Sequence, residues 1–343
     1  MPYIIFLIAF TISFAAIPLV ISLAHNHGAL ALPGKRHIHT MPTPKFGGIA
    51  IASSVLIVST FVFKLDRVVA SYLASSMLML ALGIYDDAKG TDWRLKLTGS
   101  LIAISIFILG SGMWVRTLGD LFGNSEISLG LWGIPFTYFA IFGVISAINL
   151  IDGLNGLACG VSSIAFITFA IFSYIYGDRT VFYLSLANLG ATAGLFKYNY
   201  PRAKIFMGDS GSLFLGFSLS VIAILLTQHE SGINPMAPVI VLGIPLFDTL
   251  RVLTIRVINK KHPFKADKTH LHHLMMRSGV SPTQVVKIIW VLSCLMSLLA
   301  FVLHFYDEWL MLVVFIIFVT FMGVFIENLQ IIKSRRPRKK YTA

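Results

Sequence analysis

Charge is scarce in this chain. Only 12% of its 343 residues are charged and only 15 are acidic, where a soluble domain carries about 25% charged residues; a soluble enzyme is excluded. Cysteine is scarcer still. Cys159 and Cys294 both lie in apolar runs, where a thiol packs as a small hydrophobe, so a disulfide framework is excluded as well. No internal repeat is visible, which argues against a transporter built from inverted halves. Met1-Pro2-Tyr3 carries no basic residue, and the first apolar run, 3–24, is longer than the hydrophobic stretch of a secretory leader; the expectation is an uncleaved first span. What the chain does have is apolar surface. Hydrophobic residues make up 56% and the mean hydropathy is +0.81. These values exclude disorder and a collagen-like chain, and leave a polytopic membrane protein. The net charge of +12 therefore bears on topology and lipid contact, and no nucleic-acid partner is implied.

Eleven candidate spans are read, at 3–24, 46–63, 68–85, 97–115, 131–150, 157–176, 180–196, 211–227, 236–258, 288–306 and 309–332, against the roughly 20 apolar residues that a helix needs to cross the hydrocarbon core. They fill 1–332 as a single transmembrane domain and leave 333–343 as a basic tail. The run 236–258 contains Gly243, Pro245, Asp248 and Arg251. Proline bends a helix, and polar groups at membrane depth are tolerated where they line a cavity, so this run reads as one bent helix facing a site. Lys and Arg sort by side. The loops 25–45, 86–96, 151–156, 197–210 and 259–287 together with the tail hold 21 of them, against four on the other side (Lys64, Arg67, Arg116 and Arg179). By the positive-inside rule the first set is cytoplasmic, the N-terminus outside and the C-terminus inside. The expected fold class is thus an all-α integral membrane protein of about 11 transmembrane helices. The tail from Lys333 to Lys340 reads as a stop-transfer flank that touches anionic headgroups.

The polar residues at span edges fall on that same side. Asp86-Asp87 closes the third span. As adjacent carboxylates they repel unless a cation is near; magnesium with a phosphate substrate would relieve them, and so would Lys89 or Arg94. Asp209 sits between Gly208 and Gly211 ahead of Ser210 and Ser212, at a helix start whose free N–H groups suit an anion. Magnesium is usually held by one or two carboxylates plus substrate phosphates; the alternative is a capping aspartate. Asn149 and Asp152 share a helix face at spacing three, and Asn155-Gly156 has turn chemistry. In His270-Leu-His272-His273 a helix would put the first and last rings on one face. Zinc is weakly indicated without a nearby cysteine or carboxylate, and Lys265, Asp267 and Lys268 beside them favour an anion-binding loop. His37 and His39, with Lys35 and Arg36, could contact phosphate in the first loop. Acids that hold a metal and basic groups that neutralise phosphate oxygens are what magnesium-assisted chemistry on diphosphates needs.

These residues resemble the polyprenyl-phosphate N-acetylhexosamine-1-phosphate transferase family, and the match covers nearly the whole chain. Its pieces, in the family's order, are Lys35-Arg36-His37 with Pro44-Lys45-Phe46-Gly47-Gly48; Asp86-Asp87 with Arg94 and Lys96; Asn149-Leu-Ile-Asp152-Gly-Leu-Asn155-Gly; Phe206-Met-Gly-Asp209-Ser-Gly-Ser; Pro245-Leu-Phe-Asp248-Thr; and Asp267-Lys-Thr-His270-Leu-His272-His273. The stretch from His270 to Gln284 looks most like the bacterial branch that starts O-antigen or enterobacterial common antigen. The muramyl-pentapeptide branch fits less well, because its Gly-Thr-Pro-Thr-Met-Gly-Gly contrasts with Met41-Pro-Thr-Pro-Lys-Phe-Gly-Gly here.

The resemblance implies an enzyme of the bacterial inner membrane that moves GlcNAc-1-phosphate from UDP-GlcNAc to undecaprenyl phosphate and releases UMP, with Mg2+ as cofactor and Mn2+ as a substitute. GalNAc or fucosamine-type donors, the downstream polymer and a homodimer stay open. It implies Asp209 as magnesium ligand, Asp87 as a second member of the metal site and Asp86 as a base toward the lipid phosphate. Lys96 and the first-loop basic residues would hold that phosphate. Asn149, Asp152 and Asn155 would line the nucleotide pocket, with Asp152 counted among the catalytic carboxylates. His270, His272, His273 and Arg277 would contact the sugar or diphosphate, and the bent span would border a groove for the polyprenyl tail. Two other classes fit these residues less well. An intramembrane aspartyl protease matches Tyr85-Asp86 and Gly208-Asp209, but has Phe206 where its motif needs glycine. A transporter would hold its acids near the midplane, whereas these cluster at one face.

Overall fold

The structure is a computed structural model and describes residues 2–32, 42–228, 233–262 and 269–335. The readings placed on Lys35, Arg36, His37, His39, Lys265, Asp267, Lys268 and the side chains of the tail lie outside the described residues. The described helices are α1 (Pro2–Asn26), α2 (Gly47–Val62), α3 (Arg67–Lys89), α4 (Trp93–Ser111), α5 (Gly133–Ile151), α6 (Leu157–Ile175), α7 (Arg179–Asn199), α8 (Gly208–Gln228), α9 (Met236–Val241), α10 (Gly243–Ile258), α11 (Leu271–Arg277), α12 (Pro282–Leu303) and α13 (Glu308–Arg335). Each of the eleven apolar runs is helical over most of its length. Among the described residues eight helices are long and apolar enough to cross a membrane, while α2 is a shorter apolar helix. The protein is a helical, multi-pass membrane protein. Among the described residues the departures from an all-α design are a two-residue antiparallel pair, β1 (Leu30–Ala31) with β2 (Thr43–Pro44), and an isolated antiparallel bridge between Thr117 and Ser128.

Helix α8 forms the centre. Nearly every residue from Ser210 to Leu226 is buried, and it packs on α2, α3, α5, α6 and α7. A helix that is apolar on all sides belongs inside a bundle. Small residues let its neighbours come close, as they do where helices pack in lipid. A Cβ on Gly48 would fall inside the backbone of Gly211, and one on Gly83 inside that of Ser210. At the periphery, α13 leaves Ile316, Ile317 and Phe321 exposed, as a lipid-facing helix should.

Helix ends depart from the apolar runs, and the departures build the site. The expected loop 86–96 is mostly helix, since α3 runs on to Lys89 and α4 begins at Trp93. The expected loop 259–287 contains α11 and the first turn of α12. That turn begins at a capping box in which Ser281 and Gln284 satisfy each other's backbone N–H. The bend in 236–258 falls at Leu242, between α9 and α10. Pro245 sits in the first turn of α10, where a missing N–H costs no helical bond.

Candidate active site

The C-terminal end of α3, the N-terminal ends of α4 and α8, and the end of α5 meet at one end of the bundle. Asp86 and Asp209 are brought together on a single cation. Lys96 Nζ lies 2.8 Å from an Asp86 oxygen and also donates to Asp209. Thr91 holds the other Asp86 oxygen through its backbone N–H at 2.7 Å and through its hydroxyl. Asn149 donates to Asp209 at 3.1 Å and to Ser212 at 2.8 Å.

Asp87 points elsewhere. It is 5% exposed, and its two oxygens accept the backbone N–H groups of Asp209 and Ser210, each at 2.9 Å. The chain turns into α8 at Gly208, whose φ is +73°, and a Cβ there would meet the Asp87 carboxylate and the Lys45 carbonyl. Glycine is the residue for that conformation. The turn is braced from the other side as Gly47 and Gly48 donate to the carbonyls of Phe206 and Met207 at 3.0 and 2.8 Å. The Pro44-to-Gly48 and Phe206-to-Ser212 motifs, whose first glycines, Gly47 and Gly208, are 161 residues apart in sequence, are therefore one structural unit.

A cavity of about 730 Å³ opens over these groups and is lined by Asp86, Asp87, Asp152, Asn155, Asp209 and His273, among others. Asp152 follows the last residue of α5 and faces this cavity. Burial, with the charges of Asp209 and Asp87 adding to it, pushes its carboxyl up to about 8. Asn155 donates to the Pro201 carbonyl at 3.2 Å.

The donor set suits a hard cation of the magnesium kind. Two carboxylates, Asp86 and Asp209, already converge on one positive charge, and magnesium takes one or two carboxylates with phosphate oxygens completing its shell. Among the described residues no cluster of three or more His, Cys, Asp or Glu side chains could hold a metal by itself.

Residues 69–227 match the family described as glycosyl transferase family 4. A probable undecaprenyl-phosphate N-acetylglucosaminyl 1-phosphate transferase of Bacillus subtilis (strain 168) is 32% identical over 342 residues, 97% of this chain and 95% of the relative. The chain belongs to this family. The undecaprenyl-phosphate alpha-N-acetylglucosaminyl 1-phosphate transferase of Escherichia coli (strain K12) is 30% identical over 86% of this chain and 82% of its own length. A decaprenyl-phosphate N-acetylglucosaminephosphotransferase of Mycolicibacterium smegmatis is 31% identical over 78% and 73% respectively.

The family match spans α3 to α8, and with them Asp86, Asp87, Asp152 and Asp209, but stops before the His segment. There the geometry differs from a shared helix face. His270 precedes α11 in extended backbone and turns away from the cavity to donate toward Asp248 at 2.9 Å. His273 lines the cavity. His272 is 2% exposed with its Nε2 unpartnered, and a Cβ on Gly153 would strike its ring. Burial pushes the His272 imidazole down to about 3, so it is neutral at physiological pH. Arg277 is exposed at the end of α11 and is not among the cavity's lining residues. Sequence reading missed Asn199, which accepts from Gly156 at 2.6 Å and donates to Ile205 at 2.9 Å. It ties the α5–α6 turn to the loop before α8. The signal was its place just ahead of Tyr200-Pro201, a turn position.

Proposed function

We propose that this protein transfers GlcNAc-1-phosphate from UDP-GlcNAc to undecaprenyl phosphate, giving undecaprenyl-diphosphate-GlcNAc and UMP. The observation that carries the reading is the convergence of Asp86, Lys96 and Asp209 under a cavity of about 730 Å³, in a chain whose relatives are named for this transfer. The volume is that of a small-molecule site.

In this reading a lipid-phosphate oxygen attacks the phosphorus that bears the sugar, and the bond from that phosphorus to the UMP oxygen breaks. Magnesium bound by Asp209 and Asp86 would neutralise diphosphate charge. Asp86 takes any proton left on the lipid phosphate. Lys96 lies between the two carboxylates and is within reach of phosphate oxygens that enter there, where a fixed positive charge stabilises the transition state. Asp87 keeps the start of α8 and hence Asp209 in position. Asp152, protonated near neutral pH, donates to a donor-substrate oxygen that an ionised carboxylate would repel. The basic-residue bias supports eleven spans with the site at the cytoplasmic face, and the bacterial relatives support a bacterial inner membrane.

The test is purified protein in detergent with undecaprenyl phosphate, magnesium and a panel of UDP-sugars. UMP and lipid product formed with UDP-GlcNAc, and lost with EDTA, are expected. Turnover of another UDP-N-acetylhexosamine alone would move the donor assignment. No turnover by folded protein would overturn the reading and favour ion-coupled transport.

A further inference from the structure

Asp248 lies on α10, outside the carboxylate cluster, and is 4% exposed. An ionised carboxylate buried this far needs partners, and three donors converge on it. His270 Nδ1 approaches one oxygen at 2.9 Å. The Leu271 backbone N–H, at 2.8 Å, and Arg251 Nη2, at 3.0 Å, share the other. Arg251 also donates to the Thr269 carbonyl. Residues 269, 270 and 271, at the start of α11, are thus gripped by one aspartate–arginine pair on α10.

The grip has a direction. Nδ1 of His270 carries the proton that Asp248 accepts, and the ring packs parallel to His272, with centroids 6.1 Å apart and planes 11° apart. His272 in turn lies 4.2 Å from the His273 ring, and His273 borders the cavity. The orphaned Nε2 of His272 abuts Gly153, next to Asp152. A chain of three imidazoles therefore runs from Asp248 to the cavity wall, and only its far end is anchored by charge.

We propose that Asp248 is a positioning residue which, through His270, sets His273 at the cavity wall and so tunes binding of the nucleotide-sugar diphosphate. This rests on the transferase reading above. An anchored imidazole presents a donor to a phosphate oxygen without paying for its own ordering when the substrate arrives, which is the advantage of pre-organisation.

The experiment is a double-mutant cycle in the full-length protein, with UDP-GlcNAc turnover as the readout and KM and kcat separated. Asp248→Asn should raise KM for UDP-GlcNAc on the order of tenfold to a hundredfold and leave KM for undecaprenyl phosphate unchanged. His273→Ala should do the same, and the double variant should be no worse than His273→Ala, because coupled residues are non-additive. Effects that multiply would overturn the proposal and leave Asp248 a structural residue. If Asp248→Asn does not fold, His270→Gln replaces it in the cycle; it removes the held ring while leaving Asp248 with Arg251 and the Leu271 N–H, and it must show the same coupling. An inactive but folded wild type would overturn the transferase reading itself, whereas an active wild type with uncoupled variants overturns only the role of Asp248.

Discussion

Asp87 on α3 accepts the backbone N–H of Asp209 on α8 at 2.9 Å, and its second oxygen accepts the N–H of Ser210 at the same distance. A helix start leaves four N–H groups without intrahelical partners, and its partial positive charge favours an anion. Here a carboxylate from another helix supplies that anion. The two aspartates thereby differ in duty although they sit at one locus. Asp87 secures the backbone, and Asp209 turns its own carboxylate to Lys96.

The first prediction separates them. Asp87→Ala leaves two buried N–H groups unmatched, at about 1–3 kcal/mol each, and should lower both thermal stability and turnover. Asp209→Asn should abolish turnover with stability nearly unchanged. Thermal unfolding in detergent beside UMP release checks both, and equal stability losses would contradict this division.

Gly208→Ala is expected to be more damaging than an alanine elsewhere in α8. The position needs φ +73°, at a cost of about 1–3 kcal/mol for a side chain held in a sparsely populated region, and its Cβ would press on the Asp87 carboxylate. Loss of turnover with a lower unfolding temperature is expected; a variant with wild-type values would show that the turn can relax.

Lys96→Met removes the cation shared by Asp86 and Asp209. Turnover should fall by a factor of about 100 or more, while Mn2+ should bind more tightly, since two carboxylates then lack their internal counter-charge. Manganese titration followed by electron paramagnetic resonance reads the second effect without any turnover. Weaker manganese binding would argue against Asp86 and Asp209 as ligands.

Two pH dependences follow from Asp152 and His272. Asp152 titrates at about 8, so its donor form is lost as pH rises through that value, and KM for UDP-GlcNAc should climb above it. Asp152→Asn keeps a donor at every pH and should flatten the climb.

His272 is held neutral down to about 3, whereas an unfolded histidine takes a proton near 6.5. The unfolded chain then binds more protons, and stability should fall as pH drops from about 6.5 toward 3. His272→Gln should lessen that fall in unfolding scans at pH 7 and pH 5.

The membrane class and all eleven helical runs were legible in the sequence, because lipid demands long apolar segments and internally bonded backbone. The chemically active residue types were legible for a related reason. Charged groups are costly at membrane depth and scarce in this chain, so each of Asp86, Asp87, Asp152 and Asp209 stands out against an apolar background. What composition and spacing could not express was direction. Whether Asp86 or Asp87 faces Lys96 depends on the rotation of α3 against α8, which is set by the close approach of Gly83 to Ser210. Whether His270 or His273 reaches the cavity depends on Asp248, 22 residues earlier in the chain. Such pairings are contacts between distant segments, decided only when α8 is buried at the centre and the other helices take their places around it.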